Sequence, residues 1–325
     1  MNYDEIFKIK TEADFLSKTL QTFQFQYTNN TVYRTYCEHL SINPKEVTSL
    51  EDIPFLPIQF FKSHQIVSTK KVPEITFSSS GTTGSATSQH HVTDLKIYQH
   101  SYLKGFEFFY GPVEEYCTLA LLPSYLERNG SSLVYMVNDF IEKSTHPESG
   151  FFLKDLHTLN ETLIKLQKQG TKTLLIGVSF GLLDFVEKYR LQFKNTVVME
   201  TGGMKGRRKE IIREELHQFL KEGFGVEKIH SEYGMTELLS QAYSKGDGIF
   251  QCPPWMKIMI RDTEDPFLYH KNGKTGGINV IDLANINSCS FIATQDLGKI
   301  HTDNGFEILG RFDHSDIRGC NLMAL

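Results

Sequence analysis

The clearest pattern in the chain is the helical spacing of leucines over 155–168, where Leu156, Leu159, Leu163 and Leu166 fall three or four residues apart with polar residues between them. That spacing places an apolar stripe on one face of an amphipathic helix. Short apolar runs flank it, at 116–122 (ending at Pro123), 173–178 and 196–199, and read as buried strands. Helical patterns are expected over 182–193 and 207–222, with a short strand near 226–230. Strands alternating with helices predict βαβ units and a parallel sheet. Residues 1 to about 45 read as helices, one of them capped by Thr11 ahead of Phe15 and Leu16. Pro54, Pro57 and Pro73 make 52–75 an extended, packed crossing segment. Past about residue 250 the texture changes to short apolar runs separated by Gly276-Gly277 and Asn304-Gly305, which suggest antiparallel strands and hairpins.

The 325 residues correspond to about two domains of 150 residues, or one large α/β domain. Hydrophobic residues make up 40% and charged residues 22%, enough apolar material for a sizeable core. The net charge of −5 lacks the basic field of a dedicated nucleic-acid binder, so no nucleic-acid partner is expected. Five cysteines (Cys37, Cys117, Cys252, Cys289 and Cys320) never form a C-x-x-C pair, which argues against a zinc ribbon or a disulfide scaffold. No secretory signal opens the sequence, and its most apolar run, 174–183, is too short to span a bilayer. A cytoplasmic protein without a membrane span is the expectation.

Several segments could carry chemistry. In Thr76-Phe77-Ser78-Ser79-Ser80-Gly81-Thr82-Thr83-Gly84-Ser85, small hydroxyl residues and two glycines make a loop whose N–H and O–H groups suit an anion. It lacks the Gly-Lys-[Ser/Thr] ending of a Walker P-loop, and the alternative is a flexible linker. The lead-in Pro73-Glu74-Ile75-Thr76-Phe77 looks like a strand, which favours an anchored loop. In His230-Ser231-Glu232-Tyr233-Gly234-Met235-Thr236-Glu237, a Tyr can stack on a purine, a Thr can contact a phosphate and a Glu oxygen suits Mg²⁺. Met199-Glu200-Thr201-Gly202-Gly203 allows close backbone approach to a flat base. Near the end, Asp296 in Thr294-Gln295-Asp296-Leu297 can accept two ribose hydroxyls, and Arg311 in Gly310-Arg311-Phe312-Asp313 can meet a phosphate. Read singly, each is equally a turn or a decorated hairpin.

Taken in this order, the five segments resemble those of the adenylate-forming superfamily of acyl-CoA synthetases, luciferases and peptide-synthetase adenylation domains, over roughly 75–320. Leu122-Pro123-Ser124-Tyr125-Leu126-Glu127-Arg128, Gly130-Ser131-Ser132-Leu133-Val134 and Arg318-Gly319-Cys320 look like one branch, the LuxE-type acyl-protein synthetases. The resemblance implies an α/β large domain of parallel sheets flanked by helices, with a β-rich C-terminal subdomain. The boundaries expected are an N-terminal part at 1–75, an AMP-binding part at 76–310 that turns β-rich from about 250, and a tail at 311–325. It further implies that Ser79, Ser80, Gly81, Thr82, Thr83 and Gly84 hold the ATP phosphates, while Gly202, Gly203 and Tyr233 lie against adenine. Thr236 would contact the α-phosphate, Glu237 bind Mg²⁺, Asp296 take the ribose hydroxyls and Arg311 sit near ribose or phosphate. Cys320 would accept the acyl group as a thioester, favoured by neighbouring Arg318. The implied substrates are ATP and a carboxylic, long-chain fatty acid. The implied recipient is an acyl-CoA or acyl-protein reductase, or an acyl-carrier protein.

Two departures from the superfamily stand out. The Lys usual a few residues past the loop is missing from Ser85-Ala86-Thr87-Ser88-Gln89-His90-His91, leaving a neutral or His-assisted pyrophosphate site. The chain also stops at Leu325, before the small mobile domain that usually follows, which weakens a CoA-ligase reading and raises the weight of Cys320. Other classes remain: a ligase serving CoA or a carrier protein, a non-catalytic scaffold, and a serine hydrolase. The last rests on Gly177-Val178-Ser179-Phe180-Gly181, a G-x-S-x-G elbow with Asp282 or Asp296 and His301 as partners. Adjacent His90 and His91 point to opposite faces of a strand, and His157, His217, His230 and His270 have no ligand spacing. The aromatic run 106–110 reads as core, or as the wall of an acyl channel.

Overall fold

A computed structural model of the chain describes residues 3–79, 87–123, 130–202, 211–270 and 273–312. The chain divides into two compact units, 71–253 and the pair of segments 1–70 and 254–325. The N-terminal helices and the C-terminal β-rich segment therefore share one unit.

The 71–253 unit is built on a sheet with the strand order Phe250–Gln251, Ala242–Ser244, His230–Tyr233, Thr196–Glu200, Thr173–Gly177, Cys117–Leu121 and Gly150–Phe151. From His230–Tyr233 onward every pair is parallel, and only the first two strands run antiparallel to their neighbours. All residues of Cys117–Leu121 and Thr173–Gly177 are buried, as strands covered on both faces require. The helix Leu156–Gln169 is capped by Asp155, whose carboxylate accepts the Thr158 N–H, and ends at Gly170 in the left-handed region (φ 71°). Its Leu159, Leu163 and Leu166 pack with Leu182, Phe185, Leu216, Leu220 and Phe224 against Leu119, Leu121, Leu175 and Val198. Each such buried leucine contributes about 2 kcal/mol.

The helices Ser179–Lys188 and Arg213–Phe224 meet at Gly223, where an added Cβ would stand 2.4 Å from that of Val186. The Phe185 and Phe224 rings stack beside this contact at 5.6 Å. Gly223→Ala is expected to cost about 1–3 kcal/mol through overpacking, read as a lower urea midpoint at unchanged slope; an unchanged midpoint would mean the helices separate freely. A second layer of this unit is aromatic. The helix Leu95–Tyr110 brings Tyr98, Tyr102, Phe106 and Phe109 to Phe140 of the helix Ser132–Ser144 and to Tyr243.

The other unit carries an antiparallel meander in the order Tyr269–His270, Met256–Arg261, Gly276–Asp282, Phe291–Ile300 and Phe306–Arg311. Leu56–Pro57 adds a parallel pairing at Ile292 and Ala293. The helix Glu12–Asn29 starts in a capping box of Thr11 and Asp14. Its buried Gln26 amide bonds the carbonyls of Asn285 and Ile286, both at 3.0 Å, and accepts the Ser290 N–H at 2.9 Å.

Several boundaries differ from those read in the sequence. The 182–193 helix is Ser179–Lys188, the 207–222 helix is described as Arg213–Phe224, and the 226–230 strand is His230–Tyr233, so Tyr233 ends a strand. The crossing segment holds a one-turn helix, Phe60–Ser63. Gly276 and Gly277 lie inside a strand rather than a turn, because neighbouring atoms occupy the space of their side chains: a Cβ on Gly276 would lie 2.2 Å from the Arg261 carbonyl oxygen. Asn304, at φ 62°, does turn the final hairpin. Among the described residues no helix is long and apolar enough to cross a membrane.

Candidate active site

The hydroxyl-rich segment grows from a hairpin. Ile75–Ser78 pairs antiparallel with Gln89–Val92. Just beyond the strands, the Ser79 N–H donates to the Ser88 carbonyl at 3.1 Å and the Ser88 N–H to Ser79 Oγ at 2.9 Å. The segment is thus anchored at its base, as its strand-like lead-in suggests. Ser80, Gly81, Thr82, Thr83 and Gly84 lie outside the described residues.

On the returning strand, His90 and His91 face opposite ways. His91 Nδ1 meets Thr76 Oγ1 at 2.9 Å, whereas His90 is 1% exposed and its Nδ1–H donates to the Thr236 carbonyl at 2.9 Å. A carbonyl only accepts, so the proton is on Nδ1. Burial pushes the His90 pKa down to about 4, against the Thr236 bond, which raises it. The ring is therefore neutral at physiological pH and brings no positive charge to the hydroxyl-rich hairpin. It ties the hydroxyl-rich hairpin to the turn that bears Thr236 and Glu237.

That turn follows the strand His230–Tyr233. Tyr233 is buried with its ring edge toward Phe250 at 6.1 Å. Gly234 leaves room for the Glu232 carboxyl, which a Cβ there would meet at 2.4 Å. The Leu238 N–H closes the turn on the Met235 carbonyl at 3.0 Å, and Glu237 is buried. Among the described residues no group of three or more His, Cys, Asp or Glu side chains could hold a metal.

At the end of Thr196–Glu200, buried Glu200 organises the next turn. Its Oε2 accepts from the Gly202 N–H at 2.6 Å and the Ser179 hydroxyl at 3.3 Å, while Oε1 lies 3.6 Å from His217 Nε2 and 4.0 Å from Arg213 Nε. Burial raises its pKa, but His217, Arg213, Ser231 and the Gly202 N–H outweigh burial and keep it ionised. Gly202 takes φ 71°, and among the described residues no atom lies within 4 Å of where its Cβ would stand, which suits close approach of a flat ligand. Gly203 lies outside the described residues. Glu200 carried no signal in the sequence beyond standing two residues ahead of the glycines. Ser179 is the first residue of a helix, is buried, has no left-handed backbone angle and bonds a carboxylate. That is not the strained, exposed serine of a hydrolase elbow.

In the other unit, Asp296 and Arg311 are cross-strand partners, and Arg311 Nε donates to Asp296 Oδ1 at 2.9 Å. Asp296 is buried, while the Arg311 side chain is 78% exposed. The sequence reading missed Arg261. Its guanidinium bonds the Ile278 carbonyl (2.8 Å), Asn279 Oδ1 (2.7 Å) and the Thr294 carbonyl (2.6 Å), holding the strand that bears Asp296. Gly277 was the available signal, since a Cβ there would lie 2.4 Å from that guanidinium.

Cys320 lies outside the described residues. Of the described cysteines, Cys37, Cys117 and Cys289 are buried. Burial raises the pKa of Cys37 to about 12 and that of Cys117 to about 11, and pushes Cys289 up as well. None of these three presents a thiolate at neutral pH.

The buried groups set an expected stability profile. Burial also brings His230 down to about 4. Both histidines bind protons in the unfolded chain below their ordinary value of 6.5 but not in the folded chain, so stability falls as pH drops from 6.5 toward 4. His90 alone accounts for about 3 kcal/mol. Glu232, pushed up to about 8 by burial and the Glu200 charge, acts oppositely: folded chains keep its proton above 4.5 where unfolded chains lose it, so stability falls as pH rises to 8. With two groups against one below pH 6.5, melting temperature is expected to peak near pH 6.5. A curve flat from 6.5 to 8 would mean Glu232 titrates normally.

A model of the LuxE acyl-protein synthetase family matches residues 5–324. The chain is 24% identical over 325 residues to the long-chain-fatty-acid–luciferin-component ligase of Vibrio harveyi, covering 92% of this chain and 84% of that protein. Among solved structures, it is similar to 2-hydroxyisobutyryl-CoA ligase in complex with 2-HIB-AMP and CoA (TM-score 0.64, 13% identity, 93% of this chain and 75% of that one). It is also similar to ATP-bound MatB from Rhodopseudomonas palustris (TM-score 0.53, 17% identity, 73% of this chain and 47% of that one). At such identities the structural likeness speaks for the fold, which is that of adenylate-forming ligases. The family match over nearly the whole length decides the rest: the chain belongs to the LuxE acyl-protein synthetase family and is a ligase.

Proposed function

We propose that this ligase uses ATP and Mg²⁺ to activate a carboxylic acid of the long-chain fatty class as acyl-AMP, and passes the acyl group to Cys320. In the first step a carboxylate oxygen bonds the α-phosphorus and pyrophosphate leaves. In the second, the Cys320 thiolate bonds the acyl carbon and AMP leaves. The thioester then serves a reductase or an acyl-carrier protein. The observation that carries the reading is the bond from His90 to Thr236, which fixes the turn bearing Glu237 to the base of the hydroxyl-rich hairpin within one unit.

In this reading Ser79 and the residues through Gly84 hold the phosphates with N–H and O–H donors. Gly202, Gly203 and Tyr233 receive the adenine, Asp296 and Arg311 the ribose, and Thr236 the α-phosphate. The donor set fits Mg²⁺, which takes one or two carboxylates and completes its shell with phosphate oxygens and water. Glu237 is the carboxylate in question. The cation would neutralise charge developing on the phosphates. Glu200 holds Gly202 in position, and His90 holds Thr236.

Cys320→Ser is the direct test of the second step. The variant is expected to release one equivalent of pyrophosphate yet form no hydroxylamine-sensitive acyl-protein, as read by intact mass after incubation with acid and ATP. An acyl adduct of wild-type yield on Cys320→Ser would move the acceptor to another group, and transfer to added CoA without any adduct would make the chain a CoA ligase.

A further inference from the structure

The aromatic layer on the helix Leu95–Tyr110 contains one polar pair that the fold leaves unmatched. Each neighbouring tyrosine hydroxyl has a partner. Tyr98 donates to the Ser132 carbonyl (2.9 Å), Tyr102 to Asp139 (2.8 Å) and Tyr116 to the Tyr110 carbonyl (2.9 Å). Tyr110 meets His230 Nδ1 at 3.2 Å, and Tyr135 accepts from Gln99 at 2.9 Å. Tyr243 is the exception. It is 2% exposed, and its hydroxyl has no hydrogen-bond partner among the described residues. Phe106, Phe109 and Tyr110 surround its ring at 5.4–6.3 Å.

Directly across the strand pair from Tyr243 stands Glu232. Opposed residues of an antiparallel pair share a face, with Cβ atoms about 5 Å apart. The Glu232 carboxyl folds over Gly234, and no hydrogen bond to it is seen among the described residues. It keeps part of its surface in contact with solvent although it is deeply set. Burial and the charge of Glu200 keep it protonated near neutrality. A protonated carboxyl and a phenol each donate and accept one hydrogen bond, and both stand one short turn from Thr236 and Glu237. A purely alkyl ligand would leave both unsatisfied, and a site built to hydrogen-bond a hydroxyl strongly rejects the analogue lacking it.

We propose that Glu232 and Tyr243 form a polar subsite that recognises a hydroxyl group carried on the chain of the substrate acid. The inference rests on the acyl-activating function proposed above and narrows its substrate to hydroxylated acids.

The test is acid-dependent pyrophosphate release by the full chain over acids of four to sixteen carbons, each offered plain and with a hydroxyl at successive carbons. At least one hydroxylated acid is expected to exceed its plain counterpart in kcat/KM by about tenfold or more. Tyr243→Phe and Glu232→Leu should each collapse that ratio, and Glu232→Gln, which still donates and accepts, should restore most of it. The ratio is internal to each variant, so a partly unfolded preparation does not mimic the result. Equal turnover of plain and hydroxylated acids would leave the activity standing and overturn the subsite. The same holds for a preference that survives both Tyr243→Phe and Glu232→Leu. If no acid in either series releases pyrophosphate, the proposed activity itself fails and takes the inference with it.

Discussion

Glu237→Gln is expected to lower acid-dependent pyrophosphate release by about 10²–10³-fold, the range for losing one group that stabilises transition-state charge. Glu237 is buried beside Thr236, in a turn tied by His90 to the hydroxyl-rich hairpin. A carboxylate at that point would hold Mg²⁺ against the phosphates, and the isosteric amide binds the cation far more weakly. The loss should fall on kcat more than on the KM for the acid, and added Mg²⁺ should recover part of it. The melting temperature should stay close to wild type, since the amide fills the same volume. A variant with the wild-type rate would remove Glu237 from the reaction.

The second large effect is structural. Glu200 is buried with Arg213 and His217 on one side and the Gly202 N–H and Ser179 hydroxyl on the other. Glu200→Ala removes the carboxylate facing buried His217 and half-buried Arg213 and leaves a donor N–H and a buried hydroxyl without their acceptor, and breaking such a buried charged cluster costs about 3–5 kcal/mol. Against a typical domain stability of about 5–15 kcal/mol, urea unfolding should shift to a much lower midpoint. Glu200→Gln, which keeps an acceptor for one of the donors, should lose distinctly less stability while raising the KM for ATP, because Gly202 is then less firmly held. Equal midpoints for Glu200→Ala and wild type would show that the cluster contributes nothing net.

What the sequence revealed was local. The leucine spacing at 156, 159, 163 and 166 did mark a helix, and the apolar runs at 117–121 and 173–177 did become parallel strands, because burial imposes its period on residues only a few positions apart. The base of the small polar run at 75–93 is anchored as the sequence suggests, since its strand-like lead-in pairs with the return strand. What it hid was long-range. His90 and Thr236 stand 146 residues apart, and no pattern in either neighbourhood announces their bond. Gly276 and Gly277 look like a turn because glycine's usual reason is backbone freedom; here the reason is the Arg261 backbone and guanidinium filling the space of their side chains. The strand end at Tyr233 was displaced for a similar reason, since Glu232 and Tyr233 pair with Tyr243 and Ala242 of a strand that lacks a strong apolar run.

Chemistry at the α-phosphorus is most directly tested by exchange of labelled pyrophosphate into ATP by the intact chain, with and without a carboxylic acid. Label is expected in ATP only when an acid and Mg²⁺ are both present, with none from Glu237→Ala. Exchange that ignores the acid, or its absence with every acid tried, would contradict it.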